Sequence, residues 1–311
     1  MNLKSTRLPV ILLSGCLLAA PLPGCSKGRN GASGKVRVLC STFPVYVFTR
    51  NVAAGRNTVQ VDLMLPADMG CPHDYVLTPQ DMQKIASADV FIANGLGLEE
   101  FLGDPLKQAN PKIAVIDSSR GITDVIQLRS REGRAHEHAG PNPHLFASPR
   151  MAARIAKTIA AELAKIDPGG AETYDRNAQA YAARLEKLAD DFAAAARSFR
   201  SRKIVTEHAV FDYLARDAGL EIVAVVEDAP GQAPSAAEMI DLARVIRRSG
   251  AAAVFTEPQY PANVGRKIAD EAGVPVAVLD PIASGPADAP LDYYEKVMFG
   301  NLDTLKRVLG Q

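Results

Sequence analysis

The feature that most constrains the fold is a long helix-forming segment between two similar halves of the chain. The 29 residues from Ala171 to Phe199 contain neither Gly nor Pro and are rich in Ala, the strongest helix former. Their apolar residues recur at steps of three and four: Tyr174, Ala178, Tyr181, Leu185, Leu188, Phe192, Ala196 and Phe199. This period predicts one buried helix face, and at 1.5 Å per residue the helix would run for roughly 40 Å. We predict a stiff spine that spans both halves; the alternative is a helix packed within one half.

On each side of this segment, short β-branched runs alternate with amphipathic stretches. Strand-like runs begin at Val36, Val59, Asp89 and Lys112 in the first half, and at Lys203, Glu221, Ala252 and Pro275 in the second. Continuous apolar strands separated by helices are typical of parallel sheets covered on both faces. The predicted fold is therefore α/β, with two βα lobes, each with a four-stranded, mostly parallel sheet flanked by helices, joined by one long spine helix.

Two helix starts carry clear capping signals. Thr78 can cap a helix whose first turn contains Pro79 and Asp81, and Asp81 suits the positive end of the helix dipole. Ser235 and Glu238 have the spacing of a capping box. The predicted domain boundaries are a signal peptide at 1–24, a flexible linker at 25–34, an N-terminal metal-binding lobe at 35–168, the spine at 169–201, and a C-terminal metal-binding lobe at 202–311.

The N-terminus has the pattern of a secretion signal. Lys4 and Arg7 precede an almost wholly apolar run from Leu8 to Leu22, which is too short for a confident membrane span. The run ends in LPGC, which resembles the lipobox of bacterial lipoproteins and predicts lipidation of Cys25. The sequence LSGC at Cys16 fits a lipobox better, but cleavage there would leave an apolar mature N-terminus. The alternative is a plain secretory signal. We expect an extracytoplasmic protein, lipid-anchored to the membrane, on the periplasmic side in a Gram-negative cell.

Charge and cysteine content narrow the classes of partner. Lys and Arg together number 35 and so do Asp and Glu, and the balance argues against nucleic acid or a polybasic membrane surface. Beyond the signal and the lipidation candidate Cys25, only Cys40 and Cys71 remain. In an oxidising compartment they could form a disulfide; the alternative is two free thiols, with Cys40 buried at a strand end.

Three of the five histidines follow predicted strands. His73 follows the second strand of the N-terminal lobe, His144 lies after its fourth strand, and His208 ends the first strand of the C-terminal lobe. Asp280 follows the last strand of that lobe, although an Asp before Pro can also cap a turn. Ligands bind at the carboxyl edge of parallel sheets, and three imidazoles with one carboxylate suit tetrahedral Zn²⁺. A single histidine near a strand end is more often structural, but the convergence predicts a metal site in the cleft between the lobes.

Several segments resemble those of the periplasmic zinc/manganese-binding lipoproteins that deliver metal to ABC importers. They are PHDYVLTPQDMQKIASADVFIANGLGLE, NPHLFASPR, EHAVFDYLARDAGL, FTEPQ and LDPI, and the similarity runs from about Val36 to Leu309. The resemblance implies a monomeric, non-enzymatic receptor whose partner is an ABC-transporter permease. It also implies that His73, His144, His208 and Asp280 are the metal ligands. A histidine at the third ligand position favours Zn²⁺, with Mn²⁺ or Fe²⁺ as alternatives.

Four further residues are candidates for supporting roles. Glu257 and Glu207 lie at strand ends, where they could hold the ligands through hydrogen bonds. His136 and His138, in RAHEHAG, either collect metal weakly on a surface loop or are incidental. The rival functions are a metallohydrolase and a metal-stabilised adhesin. Four protein ligands would leave no position for an activated water, and the chain has no HExxH helix, so we do not expect an enzyme.

Overall fold

Two four-stranded parallel sheets organise the chain. The computed structural model describes residues 35–70, 72, 75–128, 140–227 and 233–310. The first sheet contains β1 (Val36–Cys40), β2 (Val59–Leu63), β3 (Val90–Ala93) and β4 (Ala114–Asp117), in the order β2-β1-β3-β4. A short antiparallel pair follows, β5 (Gln127–Leu128) with β6 (Gly140–Pro141). The second sheet contains β7 (Lys203–Thr206), β8 (Glu221–Val225), β9 (Val254–Thr256) and β10 (Val276–Val278), in the order β10-β9-β7-β8.

The two sheets have the same topology. In each, the first strand lies between the second and the third, and the fourth lies at the edge beside the third. The predicted α/β fold with two four-stranded sheets is therefore confirmed. The small β5–β6 pair was not expected from the sequence, because strands of two residues are too short to show a period.

The helices lie between the strands, as the alternating pattern predicts. Their bounds are α1 (Phe43–Val52), α2 (Pro79–Ser87), α3 (Pro105–Ala109), α4 (Pro149–Ile166), α5 (Ala171–Ala196), α6 (Asp212–Ala218), α7 (Ala236–Ser249), α8 (Asn263–Ala272) and α9 (Tyr293–Leu309). Both predicted caps are present: Ser235 forms the predicted capping box with Glu238 at α7, and Thr78 caps α2, where Asp81 completes a second capping box. Gly250 ends α7 in the left-handed conformation, at φ 70°, which glycine adopts without steric cost.

Helix α5 is the predicted spine. It has 26 residues, or about 39 Å at 1.5 Å per residue, and seven of the eight apolar residues predicted for its face lie in it and are buried. Phe199 lies beyond its end and packs against the core. Helix α5 contacts α1 and α4 in the N-terminal lobe and α6 and α9 in the C-terminal lobe. The helix therefore spans both lobes, and one hydrophobic cluster continues from Phe48 through Leu185 to Phe255.

The lobes belong to one compact unit, Lys35–Gln311. The predicted boundaries near 168 and 201 thus fall inside this unit and stay predictions. The predicted signal peptide and linker, with Cys16 and Cys25, lie outside the described residues. In the part of the chain that is described, no helix combines the length and apolar character needed to cross a membrane.

Candidate metal centre

His144 is fixed by the residue two positions before it. The side-chain Oδ1 of Asn142 accepts a hydrogen bond from the backbone N–H of His144 at 2.9 Å and lies 2.9 Å from the ring Nδ1. Asn142 is fully buried and His144 is 3% exposed. Because this pair lies between β6 and the start of α4, the His144 ring is held at a fixed place on the edge of the N-terminal lobe.

His208 is fixed by a carboxylate from the neighbouring strand. It lies two residues after β7, and Glu257 directly follows β9, which pairs with β7. The ring Nδ1 of His208 lies 2.5 Å from Glu257 Oε1, and both side chains are almost completely buried. The sheet register therefore brings an acid against the imidazole, an arrangement that orients histidines bound to metal.

The two imidazoles are neighbours across the lobes. The ring centroids of His144 and His208 are 5.4 Å apart, and the ring planes meet at 79°. The Tyr260 ring stands edge-on to His208 at 5.9 Å, and the Phe146 ring lies 5.8 Å from His144. This arrangement is consistent with the prediction that His144 and His208 approach each other from different lobes.

Burial raises the pKa values of the two acids behind His208, Glu257 and Glu207. Burial raises the pKa of Glu257, while His208 opposes the shift through its charge and its hydrogen bonds. Burial also raises the pKa of Glu207 to about 7, against a hydrogen bond from the backbone N–H of Glu257 to Glu207 Oε2 at 2.9 Å. Glu257 thus contacts the imidazole, whereas Glu207 holds the backbone of Glu257.

Asp280 is placed by a strained turn after β10. Its Oδ1 accepts hydrogen bonds from the backbone N–H of Ile282 at 2.8 Å and from Gln259 Nε2 at 3.1 Å. Ile282 has φ 65°, which is rare for a β-branched residue. Asn301 holds the Asp280 backbone, with Asp280 N–H donating to Asn301 Oδ1 and Asn301 Nδ2 donating to Asp280 O. Burial raises the pKa of Asp280, and the Asp280 carboxylate contributes to the raised pKa of Glu257.

The chain leading to His73 also reaches this site. A Cβ built on Gly70 would lie 3.3 Å from the Tyr260 hydroxyl and 3.4 Å from Gln259 Cβ. The preceding loop is tied to the C-terminal lobe by a hydrogen bond from Gly285 N–H to Ala67 O at 2.8 Å. Gly70 therefore lies next to Tyr260 and Gln259, whose side chains contact His208 and Asp280.

His73 itself lies outside the described residues, as do Cys71, His136 and His138. Within the described ranges, no group of three or more His, Cys, Asp or Glu side chains has the arrangement to hold a metal ion. The four-ligand site thus stays a prediction. Cys40 is a free, buried thiol at the end of β1, and burial raises its pKa to about 12. Whether it pairs with Cys71 stays a prediction, because Cys71 lies outside the described residues.

Sequence reasoning missed three residues of this region: Asn142, Gln259 and Tyr260. Asn142 had a readable signal, because Asn often accepts a hydrogen bond from the backbone two residues later. Gln259 and Tyr260 have no comparable signal, since their contacts come from chain segments far away in the sequence.

Comparison with known proteins agrees with the observed fold. A family model described as the periplasmic zinc-uptake complex component A, ZnuA, matches residues 38–308. The high-affinity zinc uptake system protein ZnuA of Bacillus subtilis strain 168 is 28% identical over 315 residues, which cover 96% of both chains. The zinc-binding lipoprotein AdcA of Streptococcus pneumoniae is 29% identical over 310 residues, which cover 97% of this chain but 61% of AdcA.

A solved structure shares the architecture as well. The solute-binding protein FpvC of Pseudomonas aeruginosa in complex with Mn²⁺ superposes with a TM-score of 0.79 and 30% identity, covering 88% of this chain and 98% of FpvC. FpvC has also been solved in complex with Ni²⁺.

Proposed function

From the premise that this chain belongs to the ZnuA family of metal solute-binding proteins of ABC importers, we propose that it binds Zn²⁺ with high affinity and delivers it to a membrane permease. The family is non-enzymatic, extracytoplasmic and serves the uptake of divalent metals. The choice of zinc, the ligand set and the lipid anchor at Cys25 are part of the proposal.

The observation that carries the proposal is the pair of buried imidazoles from different lobes. His144 and His208 lie 5.4 Å apart between ring centroids, and each has its Nδ1 beside a side-chain oxygen. Metal-binding histidines typically use one ring nitrogen for a hydrogen bond and the other for the metal. Asp280 would add a carboxylate and His73 a third imidazole.

Zinc is favoured by the chemistry of these ligands. Imidazole nitrogen with one carboxylate oxygen is a borderline set that suits Zn²⁺ better than the harder Mn²⁺. Two relatives are named for zinc, whereas FpvC has been solved with Mn²⁺ and with Ni²⁺. Mn²⁺ and Fe²⁺ therefore stay alternatives, and the metal must be identified directly.

The proposed cycle is capture outside the cytoplasm and release to the permease. Imidazole binds metal only when it is neutral, so zinc affinity should fall below about pH 6.5, the usual pKa of histidine. An affinity that stays flat from neutral pH to pH 5 would contradict histidine ligation.

The test is elemental analysis of the purified protein, with competitive Zn²⁺ and Mn²⁺ titrations of wild type, His208→Ala and His136→Ala. We expect one bound Zn²⁺ per chain and a preference for zinc. His208→Ala should weaken zinc by more than the ~100-fold that losing a hydrogen-bond partner of a ligand can cost. His136→Ala should have a much smaller effect. Equal effects of the two variants would refute the site, and tighter Mn²⁺ binding would refute the choice of metal.

A further inference from the structure

We infer that Asn142 is a positioning residue that sets which nitrogen of His144 faces the metal and ties that ligand to the backbone beside His208. The inference rests on the proposed function, since it takes His144 and His208 as ligands. It concerns a residue outside the proposed ligand set.

The orientation of the Asn142 amide is fixed by its neighbours. The backbone N–H of His144 can only donate, so the atom that faces it at 2.9 Å must be the amide oxygen. The carbonyl oxygen of Ala209 can only accept, so the atom that faces it at 2.9 Å must be the amide nitrogen. The carboxylate of Asp212 also accepts from this side chain. These neighbours exclude the flipped amide.

The fixed amide in turn fixes the protonation of the imidazole. The ring Nδ1 of His144 lies 2.9 Å from the amide oxygen, which has lone pairs and no hydrogen. Two lone pairs at this distance would repel each other, so Nδ1 carries the hydrogen and Nε2 carries the lone pair in the neutral ring. Nε2 is therefore the nitrogen prepared to bind a metal ion.

Asn142 is itself held rigidly from both lobes. Its backbone N–H donates to Ile126 O at 2.8 Å, and its carbonyl accepts from the Tyr213 hydroxyl, also at 2.8 Å. The Tyr213 hydroxyl in turn accepts from the Ile126 N–H at 3.1 Å. Asn142 is fully buried, and both its backbone and its side chain make hydrogen bonds to other groups of the protein.

This environment also explains an amide at 142 in place of a carboxylate. At His208 the partner is the acid Glu257, but an acid at 142 would direct oxygen toward the Ala209 carbonyl and the Asp212 carboxylate. Neither group could donate to it. The same side chain must accept from His144 and donate toward Ala209, and among these two residue types only Asn does both.

The test measures the tautomer of His144 in the metal-free protein and then the zinc affinity. Long-range ¹H–¹⁵N NMR of neutral imidazoles reports which ring nitrogen carries the hydrogen, with the His144 signal assigned by its loss in His144→Ala. Wild type should show hydrogen on Nδ1. Asn142→Ala should show a mixture of tautomers and bind zinc about 10–100-fold more weakly. Asn142→Asp, which keeps an acceptor for Nδ1 but turns its second oxygen toward the Ala209 carbonyl, should restore the Nδ1–H tautomer while lowering the stability of the protein.

The matched control is Asn51→Ala. Asn51 is also buried and also bonds across the lobes, through its Nδ2 to Leu291 O at 2.9 Å. It should lose stability while the His144 tautomer and the zinc affinity stay unchanged. An Nδ1–H tautomer that persists in Asn142→Ala, or an equal loss of affinity in both variants, would overturn the inference. Zinc affinity unchanged by His144→Ala would instead overturn the proposed site, because the tautomer is measured without metal.

Discussion

Replacing Glu257 with Gln removes a negative charge from the contact that orients the His208 ring, at nearly constant side-chain volume. The carboxylate Oε1 lies 2.5 Å from His208 Nδ1. Because Glu257 is only 2% exposed, water cannot take the place of the carboxylate as a hydrogen-bond partner. It also accepts a hydrogen bond from the backbone of His208. A glutamine offers one acceptor oxygen where the carboxylate has two. Its NH₂ group can only donate, so it cannot pair with the N–H groups from which the carboxylate accepts.

Two estimates of the magnitude agree. Losing a hydrogen-bond partner of a metal-binding histidine typically weakens metal binding about 10–100-fold, or about 1.4–2.8 kcal/mol at 1.4 kcal/mol per tenfold change. A hydrogen bond to a charged group is typically worth about 1.5–3 kcal/mol. We therefore expect Glu257→Gln to bind zinc about 10–100-fold more weakly. In the metal-free protein the stability should change less, because the lost hydrogen bonds are offset by relief from burying a charge.

The assay is a competitive zinc titration against a chromophoric chelator at constant pH, with thermal unfolding of the metal-free protein measured in parallel. Glu295→Gln is the matched control, since Glu295 is a buried acid of the same lobe whose Oε1 lies 2.9 Å from Arg184 Nε. It should lose stability and keep wild-type zinc affinity. A zinc affinity of Glu257→Gln within threefold of wild type, or an equal loss of affinity in both variants, would refute this prediction.

Three further predictions concern the scaffold. Leu185→Ala, at a fully buried position of α5, should lower the free energy of unfolding in urea by about 2–5 kcal/mol, and a loss below about 1 kcal/mol would contradict its core position. Burial raises the pKa of Cys40 from 9.0 to about 12. In a Cys71→Ser background, native Cys40 should therefore react with iodoacetamide at pH 8 about a thousandfold more slowly than the unfolded thiol. Equal rates would contradict this. Burial raises the pKa of Glu207 from 4.5 to about 7, so its stabilising contribution is full below pH 4.5 and is lost as the pH rises through 7. Glu207→Gln should lack this loss in pH-dependent denaturation of metal-free protein, and parallel pH profiles would refute the assignment.

Much of the fold follows from local sequence signals. The capping boxes at Thr78 and Ser235 could be predicted because their partners lie three residues away. The carboxyl-edge rule places His208, which follows the parallel strand β7, but His144 follows β6 of the short antiparallel pair, so its approach to His208 depends on a loop that the rule does not describe. The contact of Glu257 with His208 and the placement of Tyr260 depend on strand register and loop packing, which no local pattern specifies. Sequence therefore predicted which residues to consider but not which nitrogen each imidazole would present.

The contacts between the lobes bear on how metal enters and leaves. The N–H of Gly285 donates to Ala67 O, Asn51 donates to Leu291 O, and Asn142 donates to Ala209 O, so each pair joins the N-terminal lobe to the C-terminal lobe. A wide hinge opening would break all three bonds and expose the hydrophobic cluster that continues through the spine helix. Because exposing apolar surface costs about 25 cal/mol per Å², such an opening would be unfavourable in free energy. Small lobe motions during metal exchange are therefore favoured, with His144 and His208 kept in place by the partners that orient them.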